Sequence, residues 1–517
     1  MKAKDILPLL ALTFIVSIGF NYFWGPKEGN SSSDKEQIGQ RCKVPSEHEV
    51  RACRPLRLDI SFLEDKGVQK KTITQFDTSK ARYTFSTEGA SLERLEFKRN
   101  WGGKEGYLET VFPPTYLERQ KRCFLVAFDD QTPFAFDLVN KTEEEDRYTL
   151  TYQAAIGNKT LRKEFIVFKD SYRIDLNISL KSEEETPAQL RVLFPSPMVP
   201  ELGQKDIIDA IVLDANTKVR TEPKTVELLE SYWIQPSLIG LQDRYFVHAL
   251  VGDTHSFVQR AYFKEVDGDS LYAVLEGPEV SQGIWRLSFY CGPKESAAIV
   301  KVDARLEQVL NYGWLAIISR PVSKIFLDIL NIFYSYCKNY GLAIIILVVL
   351  MRLLLMPFTA SADQSARQRA ELQKKMAYIE HKYKHDKEEL LKAKAELIRK
   401  HGMPGLGSML VLILQLPLFI ALGWVLSNSI QLYMAPFLWI PDLSAPDPYY
   451  ILPMTLVLGM LGQALMAHEA SQRISLLVMS IVVGAFTAKL SAGLTLYIVV
   501  STFAAVAQTA LVRLFKK

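Results

Sequence analysis

The chain has 517 residues, too many for one ordinary globular core, so at least two domains are expected. A net charge of +4 argues against nucleic-acid binding through one massive basic surface. The hydrophobic fraction of 48% is ordinary for a soluble protein, but it averages a polar, strand-like region after residue 25 and a last third built of apolar runs.

The first apolar run, Ile6 to Trp24, follows Lys2 and Lys4. It lacks a small-residue cleavage site, and Asn21, Tyr22, Phe23 and Trp24 resemble an interfacial belt. It reads as an uncleaved signal anchor with its N-terminus in the cytoplasm. Residues 25–41, with Gly-Asn-Ser-Ser-Ser, read as a flexible linker.

Period-2 alternation dominates the next stretch. Arg173-Ile174-Asp175-Leu176-Asn177-Ile178-Ser179-Leu180 is a half-buried strand. Further strands are expected at 82–87, 91–98, 147–153, 244–251 and 285–291, separated by turn signals such as Asp267-Gly268-Asp269. An all-β sandwich over 42–312 is the economical reading. No catalytic constellation stands out in it, and His248 and His255 read as structural or surface histidines. Sugar or peptide binding would follow from fold analogy alone. Of the five cysteines, Cys42 and Cys53 pair if their segment faces an oxidising compartment; free or buried thiols are the equal alternative.

Pro321 to Lys338 reads as an amphipathic helix. Val322, Ile325, Phe326, Ile329, Phe333 and Tyr336 recur at helical spacing, with Ser323, Lys324, Asp328, Asn331 and Ser335 mostly elsewhere around it. Pro321 suits the first helical turn. An interfacial helix beside a true span is one reading, and a helix packed on the sandwich is the other.

Five more spans of about 20 apolar residues follow, at about 341–360, 409–427, 450–467, 474–490 and 493–512. Positive charge orients them. The stretch 361–402 carries eleven Lys and Arg against seven Asp and Glu, whereas 428–449 has no Lys or Arg and is instead aromatic, with Tyr433, Phe437, Trp439 and Tyr449. Both termini are therefore placed in the cytoplasm and the sandwich on the opposite side. The charged stretch reads as two antiparallel helices, 361–404 in all, with a break near His385-Asp386. Its mixed charges suit either a solvated face or a docking surface. His381 and His385 stand four apart with no third ligand nearby, so neither a metal nor a cofactor is expected.

Within Gly341–Ala360, eleven residues precede Arg352 and eight follow it, which puts the arginine near mid-span. A charge there costs about 2.5–3.5 kcal/mol on insertion scales. The spans contain no Asp or Glu to pair with it, and no chain of acids for a proton relay. They offer neutral polar groups instead: Thr359, Gln415, Gln463, Ser501 and Gln508. The simplest account is a hydrated groove that holds acidic or polar segments briefly, with Pro357 and Pro417 kinking the helices beside it. An arginine that snorkels or binds a lipid headgroup is the bland alternative. A transporter would call for inverted repeats or intramembrane carboxylates, and an intramembrane protease for paired carboxylates or a Ser/His pair at depth; none of these is present.

Specific wording completes the pattern. YGW at 312–314, RLLLMPFT at 352–359, QLPLF at 415–419, APFLWIPDLSAPDPYYILP at 435–453, GLTLYIVVS at 493–501 and FYCGPKE at 289–295 resemble the YidC membrane-insertase family. The resemblance implies an α-helical polytopic membrane protein of six spans with a large all-β sandwich periplasmic domain. Its parts would be a signal-anchor helix 1–24, linker 25–41, periplasmic sandwich 42–312, interfacial helix 313–340 and five-span core 341–517. The implied activity is insertion and folding of integral membrane proteins in the bacterial inner membrane, alone or with the Sec translocon, without covalent chemistry. Nascent membrane proteins and the lipid bilayer are the implied partners, with the ribosome and signal-recognition receptor reached through the hairpin. The groove arginine corresponds to Arg352, and the substrate-contacting faces to Gln415, Phe419, Tyr497 and Gln508, beside Thr359 and Ser501. Tyr497 is followed by Ile498, where many members carry a second aromatic. The segment after the last span is short, unlike the long basic tails with which some members contact ribosomes.

Overall fold

The computed structural model describes residues 61–63, 71–101, 104–111, 122–128, 131–183, 187–197, 208–213, 219–266, 270–310, 316–383, 387–401, 418–466 and 470–515. The expected anchor 1–24, the linker, Cys42, Cys53 and the turn at 267–269 lie outside these residues. The chain divides into two compact units, the first made mainly of residues up to Gly313 and the second mainly of Trp314–Lys517.

The first unit is β-rich. Among the described residues a nine-stranded sheet runs in the order Arg220–Pro223, Asp209–Leu213, Leu238–Gln242, Phe246–Thr254, Gly283–Pro293, Arg173–Ser182, Lys159–Phe168, Arg147–Ile156, Asp137–Glu143. A seven-stranded sheet centres on Ala188–Pro195 and Ser270–Val280, and a four-stranded sheet spans Ile73–Val111. The strand expected at 173–180 is central: Leu176 pairs with Phe165 on one side and Leu287 on the other. Alternation explains the core, since Leu161, Phe165 and Val167 are buried at every second position of their strand. The strand expected from 244 starts at Phe246, because the Asp243 side chain accepts from the backbone N–H of Tyr245 and Phe246 at 2.7 and 2.6 Å and makes a turn there.

The FYCGPKE segment ends the last described strand of this unit, and the helical segments Ser296–Val302 and Ala304–Val309 follow it. Tyr290 and Cys291 are buried, and the Tyr290 hydroxyl donates to the Pro293 carbonyl at 2.6 Å. Gly292 lies where a Cβ would sit 2.7 Å from Tyr172. His248 is fully buried with Nδ1 3.0 Å from the Pro195 carbonyl, and burial pushes the imidazole down to about 4. It is a neutral core histidine. Cys123 and Cys291 are free and buried.

The second unit is helical. The bridge helix is Ala316–Cys337 and the long helix Tyr340–Lys382; a hairpin helix, Lys387–His401, follows. Residues 418–428 are helical, and then come the helices Ile451–Met466, Ala470–Thr487 and Ala492–Phe515, the last helix.

Three expectations are corrected. Pro321 lies inside the bridge helix, which begins five residues before it, rather than in its first turn. Ser323, expected on the polar face, is buried and donates to the Ala421 carbonyl at 3.2 Å, while Ile325 and Tyr336 of the expected apolar stripe are exposed. The reason is that Phe326 and Leu330 form the packed edge and Ser323 lies one turn before Phe326 on it. Finally, the span expected at 341–360 and the first arm of the charged hairpin form one uninterrupted helix of 43 residues, which runs through position 357 without a break. Lys394 Nζ of Lys387–His401 lies 2.7 Å from Glu380 of the long helix, and the expected break at His385-Asp386 lies outside the described residues.

Among the described residues no helix is long and apolar enough to cross a membrane. The helices nonetheless carry apolar side chains on their outer faces. On the long helix Ala343, Ile344, Leu347 and Val348 are buried, whereas Leu342, Ile346, Val349, Leu350, Leu353 and Leu354 are exposed. Met454 and Leu458 continue the pattern on Ile451–Met466, and Leu477, Val478, Ile481 and Val482 on Ala470–Thr487. Water does not stabilise such faces in a monomeric soluble protein.

Candidate functional site

The connection between bridge and long helices fixes where the long helix starts. Lys338 turns the chain with φ 52°, and the Asn339 side chain accepts from the Leu342 N–H at 3.2 Å, capping the long helix. The Tyr334 and Tyr340 rings stack across the turn with centroids 4.0 Å apart. Gly341 then passes so close to Phe437 that a Cβ would lie 2.1 Å from its ring. Only glycine lets the helix approach the aromatic loop there.

That loop is organised by two aspartates. Asp442 Oδ1 accepts from the N–H groups of Met434 and Ser444 and from the Ser444 hydroxyl, at 2.9, 2.8 and 2.7 Å. Asp447 accepts from Trp439 Nε1 at 3.2 Å, from the Tyr449 N–H at 3.1 Å and from the Leu452 N–H at 2.7 Å, holding the first turn of Ile451–Met466. The carbonyls of Leu443 and Ala445 accept from the N–H groups of Gly493 and Ala492, at 2.8 and 2.7 Å. The loop thereby sets the start of the last helix. Neither aspartate is singled out by the sequence reading. The Pro-Asp-Leu-Ser and Pro-Asp-Pro runs are the turn-and-cap signals that would have found them.

With both helix starts fixed, Arg352 and Ser501 face each other. Arg352 Nε donates to Ser501 Oγ at 3.0 Å, and Nη2 donates to the same oxygen at 2.5 Å. Arg352 is half-buried and Ser501 buried. Tyr497 lies one turn before Ser501 on the same face, and its ring sits 6.0 Å from that of Phe419, tilted by 44°. Four of the seven expected residues, Arg352, Phe419, Tyr497 and Ser501, are thus brought together. Gln508 is half-buried seven residues beyond Ser501, two turns on along the same face. Thr359 stands on the long helix two turns after Arg352, with its side chain outside the described residues, and Gln415 lies outside them altogether.

Chemically, the arrangement holds a cation without neutralising it. A guanidinium has five N–H donors, and here two go to a single uncharged hydroxyl. Around it stand an aromatic wall, Tyr497 and Phe419, and apolar helix surface. No group of three potential metal-ligating side chains occurs among the described residues.

Known proteins share this arrangement of sequence. Residues 332–517 match the family described as 60Kd inner membrane protein, and residues 126–325 the YidC periplasmic domain. A membrane protein insertase YidC of Geobacter metallireducens is 29% identical over 484 residues, 89% of this chain and 88% of that one. One from Anaeromyxobacter dehalogenans is 30% identical over 379 residues, 70% of this chain and 68% of that one. The crystal structure of an active YidC insertase with its first transmembrane domain resolved aligns with 86% of this chain and 93% of its own, at 19% identity and a TM-score of 0.36. The two matched regions lie side by side along the chain, and with the full-length relatives they establish that it belongs to the YidC family of membrane protein insertases.

Proposed function

We propose that the chain inserts integral membrane proteins into the bacterial inner membrane, by offering their polar segments a hydrated, positively charged groove within the bilayer. The observation that carries this reading is Arg352, a cation held by a neutral hydroxyl within the apolar run 341–360, with Tyr497 and Phe419 beside it. A buried charge is costly unless solvated or paired. Three N–H donors that have no hydrogen bond among the described residues, and water in an open groove, lower that cost and leave the charge available to a passing carboxylate.

The exposed apolar faces suit lipid rather than water. On this reading the helices near 341–360, 409–427, 450–467, 474–490 and 493–512 cross the bilayer after an N-terminal anchor. Both chain ends and the charged hairpin face the cytoplasm, and the β-rich unit faces the periplasm. The bridge helix lies along the interface. The hairpin offers a docking surface to the ribosome or signal-recognition receptor, and the protein works alone as insertase and chaperone or beside the Sec translocon. No bond is made or broken; the groove lowers the barrier to moving a hydrophilic segment.

The test is insertion into proteoliposomes of a small single-span protein whose translocated tail is acidic. Arg352→Ala should lower its insertion about tenfold, the loss of one charge-assisted contact, and Arg352→Glu should lower it further. Insertion by Arg352→Glu at the wild-type rate would remove the arginine from the mechanism.

A further inference from the structure

We infer that Ser501 is the positioning residue for Arg352, and that its being uncharged is what makes the groove selective for acidic segments. The inference rests on the groove reading above and adds a second, separable component to it.

An arginine side chain on a helix has many rotamers, and ordering it costs side-chain entropy. In lipid its easiest escape is to extend toward the interface. Here Nε and Nη2 both donate to Ser501 Oγ, at 3.0 and 2.5 Å, from a helix whose position is set by the Leu443 and Ala445 carbonyls. Two bonds to one atom fix the guanidinium plane as well as its place. They also occupy the Nε–Nη2 edge, so the Nη1 pair and the second Nη2 hydrogen face away from Ser501. Among the described residues Arg352 makes no hydrogen bond besides these two. That edge can take a carboxylate through two parallel N–H···O bonds.

The choice of acceptor matters. An aspartate at 501 would anchor the arginine more strongly and cancel its charge. A serine anchors it and leaves the full charge for the passing segment. Alanine would leave the charge free to extend out of the groove.

The readout is the ratio of insertion of two single-span substrates, identical except for an acidic or a neutral translocated tail, into proteoliposomes of the full-length protein. Ser501→Ala should lower the acidic-to-neutral ratio several-fold, on the order of the loss expected when a hydrogen bond to a charged group is removed. Ser501→Thr, which keeps the hydroxyl, should hold the wild-type ratio. Ser501→Asp should drop it to the value of Arg352→Ala. The amount of each variant in the membrane and its unfolding temperature in detergent are measured alongside. A fall in both substrates in proportion, with the ratio kept in Ser501→Ala, would make Ser501 merely structural and overturn the inference. So would a wild-type ratio in Ser501→Asp. If Ser501→Ala keeps the ratio while Arg352→Ala collapses it, the groove reading survives and positioning fails. If Arg352→Ala keeps it, both fall.

Discussion

Lys163 Nζ lies 2.5 Å from the carbonyl oxygen of Phe124 inside the β-rich unit, in a slot that alternation assigns to an apolar side chain. It also donates to the carbonyls of Gly89 and Ala90, at 2.9 and 2.6 Å. Gly89, Ala90 and Phe124 all have positive φ, 67°, 40° and 67°. One buried amine thus ties together two turns whose backbones are strained at Ala90 and Phe124.

Replacing it with a chain of similar length, Lys163→Met, leaves three carbonyls without that donor. Each such loss costs about 1–3 kcal/mol, so the unit should lose about 3 kcal/mol or more of stability. Denaturant unfolding of the full-length protein in detergent, followed by sandwich tryptophan fluorescence, measures it; a change below about 0.5 kcal/mol would show that the turns hold themselves.

Burial pushes the Lys163 amine down to about 7, from its ordinary 10.5. The folded form then releases the proton near pH 7, while the unfolded form keeps it up to about 10.5. Between these values the unfolded state binds more protons, so stability rises with pH through this window; below pH 7 both states are protonated and the dependence ends. The difference in unfolding free energy between wild type and Lys163→Met should therefore grow from pH 7 to pH 10. Parallel curves would mean the amine titrates alike in both states.

Gly341 and Phe437 make a second test of packing. A Cβ at Gly341 would lie 2.1 Å from the ring. Gly341→Ala should destabilise the helical unit by about 1–3 kcal/mol, the usual cost of overpacking. Gly341→Ala with Phe437→Ala should recover much of it. Additive losses in the double variant would place the strain elsewhere.

The lipid-facing reading of the long helix is tested at Leu354, which is 61% exposed. A nitroxide on Leu354→Cys in bilayers should collide with dissolved oxygen and be shielded from a water-soluble nickel complex. One on Tyr497→Cys, on the groove side, should show more of the nickel complex. The reverse order would put water on the outer face and contradict the orientation.

The sequence made some of this legible and hid the rest for physical reasons. The strand at 173–180 is readable because its buried positions Ile174, Leu176, Ile178 and Leu180 recur with period 2; at 82–87 and 147–153 buried residues run consecutively, and β-branched and aromatic residues carry the signal instead. Arg352 was readable because a charge in an apolar run needs an explanation. Its pairing with Ser501 was not, since the two lie 149 positions apart and many polar residues dot the apolar runs. The continuity of the long helix through 357 is hidden in the sequence because a proline argues for a helix boundary there. Lys163 is hidden because a lysine usually marks an exposed position, and the strand that carries it is seen only in the structure. Asp442 and Asp447 were hidden in plain turn chemistry, and their role shows only once the helix starts they fix are seen.

Site-specific photocrosslinking during insertion tests the central claim most directly. A photoreactive residue at Phe419 or at Tyr497, whose rings lie 6.0 Å apart beside Arg352, should crosslink to the transmembrane segment of an arrested nascent membrane protein, and one at Leu354 should crosslink chiefly to lipid. Crosslinks to the nascent chain from Leu354 with none from Phe419 or Tyr497 would place the substrate path outside the groove and contradict the function assigned to it.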